Sequence, residues 1–138
     1  VKFIGLNGRT YHVDLKKYIV RADDTRAKSK FHMAAREILR EQFKGYSVFE
    51  EVPLPGSRKP NMQSVLFLDF YIPSFDLGIE VHGQQHYEFC QFFHKTKAGY
   101  LASQIRDRVK EEWCEVNDIE LTVFNYSDDP SVWRKQLE

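Results

Sequence analysis

The chain has 138 residues, with 20 Lys+Arg against 20 Asp+Glu, so its formal charge is zero. At 42% hydrophobic and 14% aromatic it can bury a core, but it has room for one ordinary domain rather than two. No apolar run approaches the roughly 18 residues of a membrane-spanning helix, and this composition is not that of a disordered chain. With only Cys90 and Cys114 and no basic-then-apolar leader, a reducing, intracellular setting is expected.

In chain order, Asn7-Gly8 between two short apolar-alternating runs predicts a β-hairpin over residues 3–13. The chain starts at Val1 on what reads as a strand, which fits a piece of a longer protein. Phe31, Ala35, Ile38, Leu39 and Phe43 recur at the spacing of an amphipathic helix that Gly45 ends. Val48, Val52 and Leu54 predict a strand, and residues 56–63 a polar loop. Residues 65–72 and 77–81 read as two buried strands, each interrupted by one acid, Asp69 and Glu80. A mixed segment follows, then a helix with Leu101, Ile105, Val109, Trp113 and Val116 on one stripe, a strand over 119–125, and a tail carrying Trp133. The order predicts an α/β fold with a mixed β-sheet flanked by helices. Residues 1–24 are expected to be hairpin and linker, and 25–138 the main domain.

An ionised carboxylate inside a core strand needs a cation, a proton or hydrogen-bond donors. If the strands of Asp69 and Glu80 pair, the two acids converge into an oxygen site suited to Mg²⁺, the kind of ion that serves phosphodiester cleavage. His82-Gly83 follows Glu80 directly, and His82 and His86 are candidates for proton transfer near neutral pH. The alternative for each acid is a strand-end cap or an arginine pair. His82, His86, Cys90 and His94 are spaced by four, a zinc stripe on a continuous helix, but Gly83 breaks that helix and counts against structural zinc. Tyr87, Phe89, Phe92 and Phe93 read as cover for the sheet, with base stacking as the alternative.

The set Ala35-Arg36-Glu37-Ile38-Leu39, Asp69-Phe70, Ile79-Glu80-Val81-His82-Gly83-Gln84-Gln85-His86 and Arg106-Asp107 resembles the PD-(D/E)XK nuclease superfamily. Within it the sequence is most similar to the very-short-patch-repair branch and to EDxHD homing endonucleases of phage introns, over about residues 28–126. The resemblance implies a restriction-endonuclease-like core, here with an N-terminal hairpin extension, and an Mg²⁺-dependent endodeoxyribonuclease in which Mn²⁺ can substitute. It implies Asp69 as main metal ligand, Glu80 as second carboxylate, Asp107 on a second hydrated ion, Glu37 reaching in from the first helix, and His82 and His86 handling protons. The superfamily's lysine two residues after the second carboxylate is absent; His82 stands there. Gln84-Gln85 replaces the aromatic wedge of the patch-repair enzymes.

On a helical wheel Glu37 and Asp107 both lie away from the apolar stripes, so solvated charge is the alternative for each. Lys28, Lys30, Lys95, Lys97, Arg106, Arg108 and Lys110 are candidate phosphate contacts or plain surface charge. Residues 26–44 carry six basic side chains against two acids, and residues 95–110 five against one, whereas 111–120 carry five acids and no base. Zero net charge is thus a sum of patches, and it predicts weak, salt-sensitive binding to duplex DNA by this part alone. A separate upstream recognition domain fits that balance, and a homodimer is the expected route to double-strand cleavage. The alternatives are a non-catalytic nuclease-like module that binds DNA or protein, or a structure-directed or mismatch-repair nuclease.

Overall fold

The computed structural model describes residues 1–21, 23–24, 29–58 and 64–138, with Phe92 and Phe93 described in their backbone only. Strands β1 (Lys2–Ile4) and β2 (Thr10–His12) form the hairpin. Helix α1 (Lys30–Gln42) follows, started by the Ser29 side chain, which accepts from the His32 N–H, and stopped before Gly45 at φ +92°. Strands β3 (Phe49–Leu54), β4 (Leu66–Ile72) and β5 (Leu77–His82) form an antiparallel meander. After the short α2 (Gln91–His94), the long α3 (Lys97–Val116) returns the chain to β6 (Glu120–Asn125), parallel to β5; α4 (Pro130–Gln136) closes the described chain. The sheet order is β3-β4-β5-β6, a mixed sheet with helices on both faces, as the sequence predicts.

Each face has its own core. On one side Val109, Trp113 and Cys114 of α3 pack on Val52, Leu54, Leu66, Leu68 and Tyr71. On the other, Ala35, Ile38 and Leu39 of α1 and Trp133 of α4 pack on Phe70, Ile72, Ile79 and Phe124. Trp133, read as part of a tail, is buried and stacks on Phe124 with centroids 4.9 Å apart, which holds α4 in place. The hairpin belongs to the α3-side core rather than to a separate unit. Phe3 is buried against Tyr71 and Trp113, and the Asn117 amide accepts from the Ile4 N–H at 2.7 Å and donates to its carbonyl at 2.8 Å. The division expected at residue 24 is therefore not a boundary between cores. No helix among the described residues is long and apolar enough to cross a membrane.

Strict alternation fails at one place in the sheet, and that place positions the site. Leu66 and Leu68 face α3, so Phe70 should follow them, yet Phe70 and Ile72 face α1 and Tyr71 faces α3. The switch falls at Asp69. Strand β3 switches at the matching point: Phe49 and Val52, three residues apart, share the α3-side core, and between them Glu51 has φ +51°. Register pairs flank both positions, Glu50 with Phe70 and Val52 with Leu68. Glu51 and Asp69 thus sit opposite one another at a shared irregularity, and left-handed φ at a glutamate is uncommon enough to point to a constraint beyond the sheet itself.

The stripe of α3 is also corrected. Val109 and Trp113 are buried, but Leu101 and Ile105 are 57% and 43% exposed. Along residues 103–110 α3 turns a polar face inward, where Ser103, Arg106, Asp107 and Lys110 line a cavity.

Candidate active site

The site begins where the β4–β5 ladder stops. Backbone pairing runs from Ile72–Leu77 to Phe70–Ile79, and the next step is bridged by side chains. Glu80 Oε2 accepts from the Asp69 N–H, and Asp69 Oδ2 accepts from the Val81 N–H, both at 2.8 Å. The two in-strand acids therefore converge as the sequence predicts, but they face different ways. Asp69 lines the cavity, whereas Glu80 is 2% exposed and is not among its lining residues. Both Glu80 oxygens are engaged, because Oε1 accepts from Lys110 Nζ at 2.6 Å. Glu80 thus holds the Asp69 backbone and Lys110 in place, and its expected place in an open metal-ligand set is not what the geometry supports.

Lys110, read as a phosphate contact or surface charge, is largely buried and ion-paired. Burial works against its charge, but Glu80 and Asp69 outweigh that and hold its ammonium above the usual range, so it stays a cation. It brings to the carboxylates, from α3, the lysine that β5 lacks. Burial and the neighbouring Glu80 push the Asp69 carboxyl up to about 7, against the pull of Lys110 and the Val81 N–H. Burial raises Glu80 as well, with Lys110 opposing.

The cavity, about 410 Å³, joins two groups of side chains. One group is His82, His86 and Asp107, whose donor atoms lie within 4.8 Å of one another; His86 and Asp107 line the cavity. His86 Nδ1 bonds Asp107 Oδ2 at 2.8 Å. A carboxylate only accepts, so Nδ1 carries a proton, and whenever the ring is uncharged the lone pair is on Nε2. Asp107 thus sets the His86 tautomer, and the reading of Asp107 as plain solvated charge is set aside. His82 and His86 stack with centroids 4.0 Å apart and planes 5° from parallel. Parallel rings aim their nitrogen lone pairs side by side rather than at one point, which disfavours a common ion and favours proton handling.

His82 Nδ1 meets the Tyr87 hydroxyl at 3.1 Å. Burial and then the charge of His86 lower its pKa to about 4, so His82 is neutral near pH 7. An unfolded histidine titrates near ~6.5. As pH falls from there toward about 4, the unfolded chain takes up a proton that folded His82 refuses, and stability drops. We expect the parent to lose about 2 kcal/mol more than His82→Gln between pH ~7 and ~5, read from urea midpoints.

Glu51 and Asp69 also line the cavity, and His32, Glu51 and Asp69 form a second group with donor atoms within 4.8 Å. Behind them, Arg36 reaches Glu50 with Nε to Oε2 at 2.8 Å and Nη2 to Oε1 at 2.9 Å, and His32 Nε2 bonds Glu50 Oε1 at 2.7 Å. Burial raises the Glu50 carboxyl, but the bonds and charges of His32 and Arg36 more than offset it and hold Glu50 below its usual range. From α1 it is His32 and Arg36 that point inward. Glu37 is exposed and does not line the cavity, so the helix does not present the carboxylate expected of it.

Sequence reasoning missed Glu51 and His32. The signal available was the polar pair Glu50-Glu51 inside an otherwise apolar strand. Of the candidate phosphate contacts, Lys30, Lys95, Lys97, Arg106 and Arg108 are exposed, with Arg106 on the cavity rim, and Lys28 lies outside the described residues. Along the zinc stripe, the Cys90 N–H donates to His94 Nδ1 at 3.0 Å, and His94 lines the same cavity as His86. Tyr87 and Phe89 are exposed rather than core, and the Phe92 and Phe93 side chains lie outside the description.

No family model matches the chain, and no solved structure matches it. Among curated proteins it is 35% identical over 81 residues to uncharacterized protein 033L of Invertebrate iridescent virus 3, a stretch covering 55% of this chain and 42% of that one. It is 34% identical over 79 residues to uncharacterized protein 307L of Invertebrate iridescent virus 6, covering 57% and 39%. Against uncharacterized protein 094L of Frog virus 3 (isolate Goorha) it is 35% identical over 80 residues, covering 57% and 52%. The match thus spans about half or less of each relative.

Proposed function

We propose that the chain is a metal-dependent endonuclease that hydrolyses phosphodiester bonds in duplex DNA, the catalytic part of a homing-type enzyme of a phage or mobile intron. The observation that carries this reading is one cavity lined by Asp69, Lys110 and the bonded His86–Asp107 pair. Helix, antiparallel meander, helix and parallel strand, in that order, agree with the core that the PD-(D/E)XK resemblance implies.

The donor chemistry fits a hard divalent cation: Asp69 has one oxygen bonded to the Val81 N–H and keeps acceptor capacity toward the cavity. Bound there, Mg²⁺ or Mn²⁺ supplies positive charge to a phosphate and acidifies water. The chain's own residues do the rest. His86 Nε2 takes the proton of the attacking water, and Asp107, bonded to Nδ1, steadies the imidazolium that forms. Lys110 keeps a fixed positive charge beside the reacting phosphate while Glu80 holds its ammonium in position. Exposed Lys95, Lys97, Arg106 and Arg108 meet the DNA backbone, and Mg²⁺ is the working cofactor.

Labelled duplex, single-stranded and branched DNA and RNA, each offered with Mg²⁺ or Mn²⁺, test the reading. Cleavage of duplex DNA, abolished by EDTA and weakened by salt, is the expected result. DNA binding without cleavage under either ion would instead mark a binding module. Supercoiled plasmid separates nicking from linearisation, and the protein-concentration dependence of linearisation reports on dimer action.

A further inference from the structure

We propose that His32, Glu51 and Asp69 together hold one divalent ion of borderline character, binding Mn²⁺ more tightly than Mg²⁺, with Glu37 and Glu80 outside its ligand set. The three donors come from different elements, α1, β3 and β4, and their ligand atoms lie within 4.8 Å of one another. That span can surround an ion at ordinary bond lengths. The backbone is shaped for the same end. Both strands break their alternation at Glu51 and Asp69, and Glu51 adopts φ +51°, a conformation β3 has no need of for its own pairing.

The independent observation is the support behind His32. Its Nε2 is bonded to buried Glu50, which Arg36 holds with two further bonds. Because the carboxylate accepts, Nε2 carries a proton, and the ion would take the place of the ring's other proton at Nδ1. A carboxylate fixing the far nitrogen of an imidazole is the usual outer-shell partner of a metal-bound histidine. The stacking of His32 on Phe70, centroids 4.4 Å apart, fixes the ring plane as well. An oxygen pair alone suits Mg²⁺; one imidazole added to it shifts preference toward Mn²⁺ and its neighbours. What the ion does there rests on the nuclease reading, but its binding does not.

Calorimetric titration of Mn²⁺ and of Mg²⁺ into the metal-free chain, together with nitrogen-coupling measurements by pulsed EPR on bound Mn²⁺, tests this. We expect one Mn²⁺ per chain, bound at least about tenfold more tightly than Mg²⁺, with ¹⁴N coupling from an imidazole that persists in His86→Ala. Glu51→Gln and Asp69→Asn should each weaken Mn²⁺ by about tenfold or more, and Glu37→Gln should leave it unchanged. Glu51→Gly, which accepts the left-handed backbone without strain, serves as the folded control: it should melt no lower than the parent and still lose the ion. Unchanged Mn²⁺ affinity in Glu51→Gln, absence of ¹⁴N coupling, or its loss in His86→Ala would overturn the proposal. A parent that binds Mn²⁺ as described but cuts no DNA would overturn the nuclease reading and leave this site standing.

Discussion

Asp69→Asn is expected to lower DNA cleavage by about 10³-fold or more while raising the melting temperature of the metal-free protein. The loss follows from removing an anionic oxygen donor that lines the cavity. The gain follows from linkage. Folding raises this carboxyl from its ordinary value to about 7, through burial and the neighbouring Glu80. A group raised in this way costs nothing below its unfolded pKa of ~3.9 and costs progressively more as pH rises toward about 7. Asparagine carries no charge, and its amide oxygen can still accept the Val81 N–H. The stabilisation should therefore be small near pH ~4, grow to about 1–3 kcal/mol at neutral pH, and level off above that. A melting-temperature series against pH checks it. Mn²⁺ should stabilise the parent more than Asp69→Asn, since only a folded site binds the ion and the variant binds it more weakly.

The second large effect falls on the support of the site. Arg36→Met is expected to cost about 3–5 kcal/mol, because Glu50 would stay buried with its principal cation removed. That is a large share of the ~5–15 kcal/mol by which a domain of this size is stable, so the variant should be mostly unfolded near 40 °C. Adding Glu50→Gln removes the orphaned charge, and the double variant should recover much of the loss. Urea midpoints of the parent, both single variants and the double variant give the coupling. If the single and double variants prove equally unstable, Arg36 matters through packing, not through its charge.

Much of the architecture was legible because the sequence periods were clean: α1 between Phe31 and Phe43, the apolar runs of β4 and β5, and the return strand β6 all lie where the pattern places them. The misreadings have physical causes. Trp133 was too isolated to mark α4 as a helix, and its burial comes from the face of Phe124 rather than from a periodic stripe. The stripe of α3 misled because its polar face lines a cavity, so Leu101 and Ile105 stay outside. Consistency between pattern and burial breaks at the site, where chemistry overrides packing.

The site was legible in part for the same reason. Acids inside apolar strands stand out, so Asp69, Glu80 and the following histidines were visible. Which oxygen is open and which is spent on backbone is a tertiary fact, and it separates Asp69 from Glu80. Glu51 escaped notice because β3 alternates imperfectly there, and Lys110 was read as a phosphate contact or surface charge because its burial and its pair with Glu80 are tertiary facts. Glu37 matched the family's helix in sequence but not in orientation.

The most direct measurement is single-turnover cleavage of a labelled DNA duplex with Mn²⁺ by the parent, Asp69→Asn and His86→Ala, each shown to be folded and purified identically. The parent should cut, and the two variants, altered at two lining positions of one cavity, should both fall by orders of magnitude. Equal rates in all three, or no cutting by the parent under either Mg²⁺ or Mn²⁺, would contradict the assignment of this cavity to phosphodiester hydrolysis.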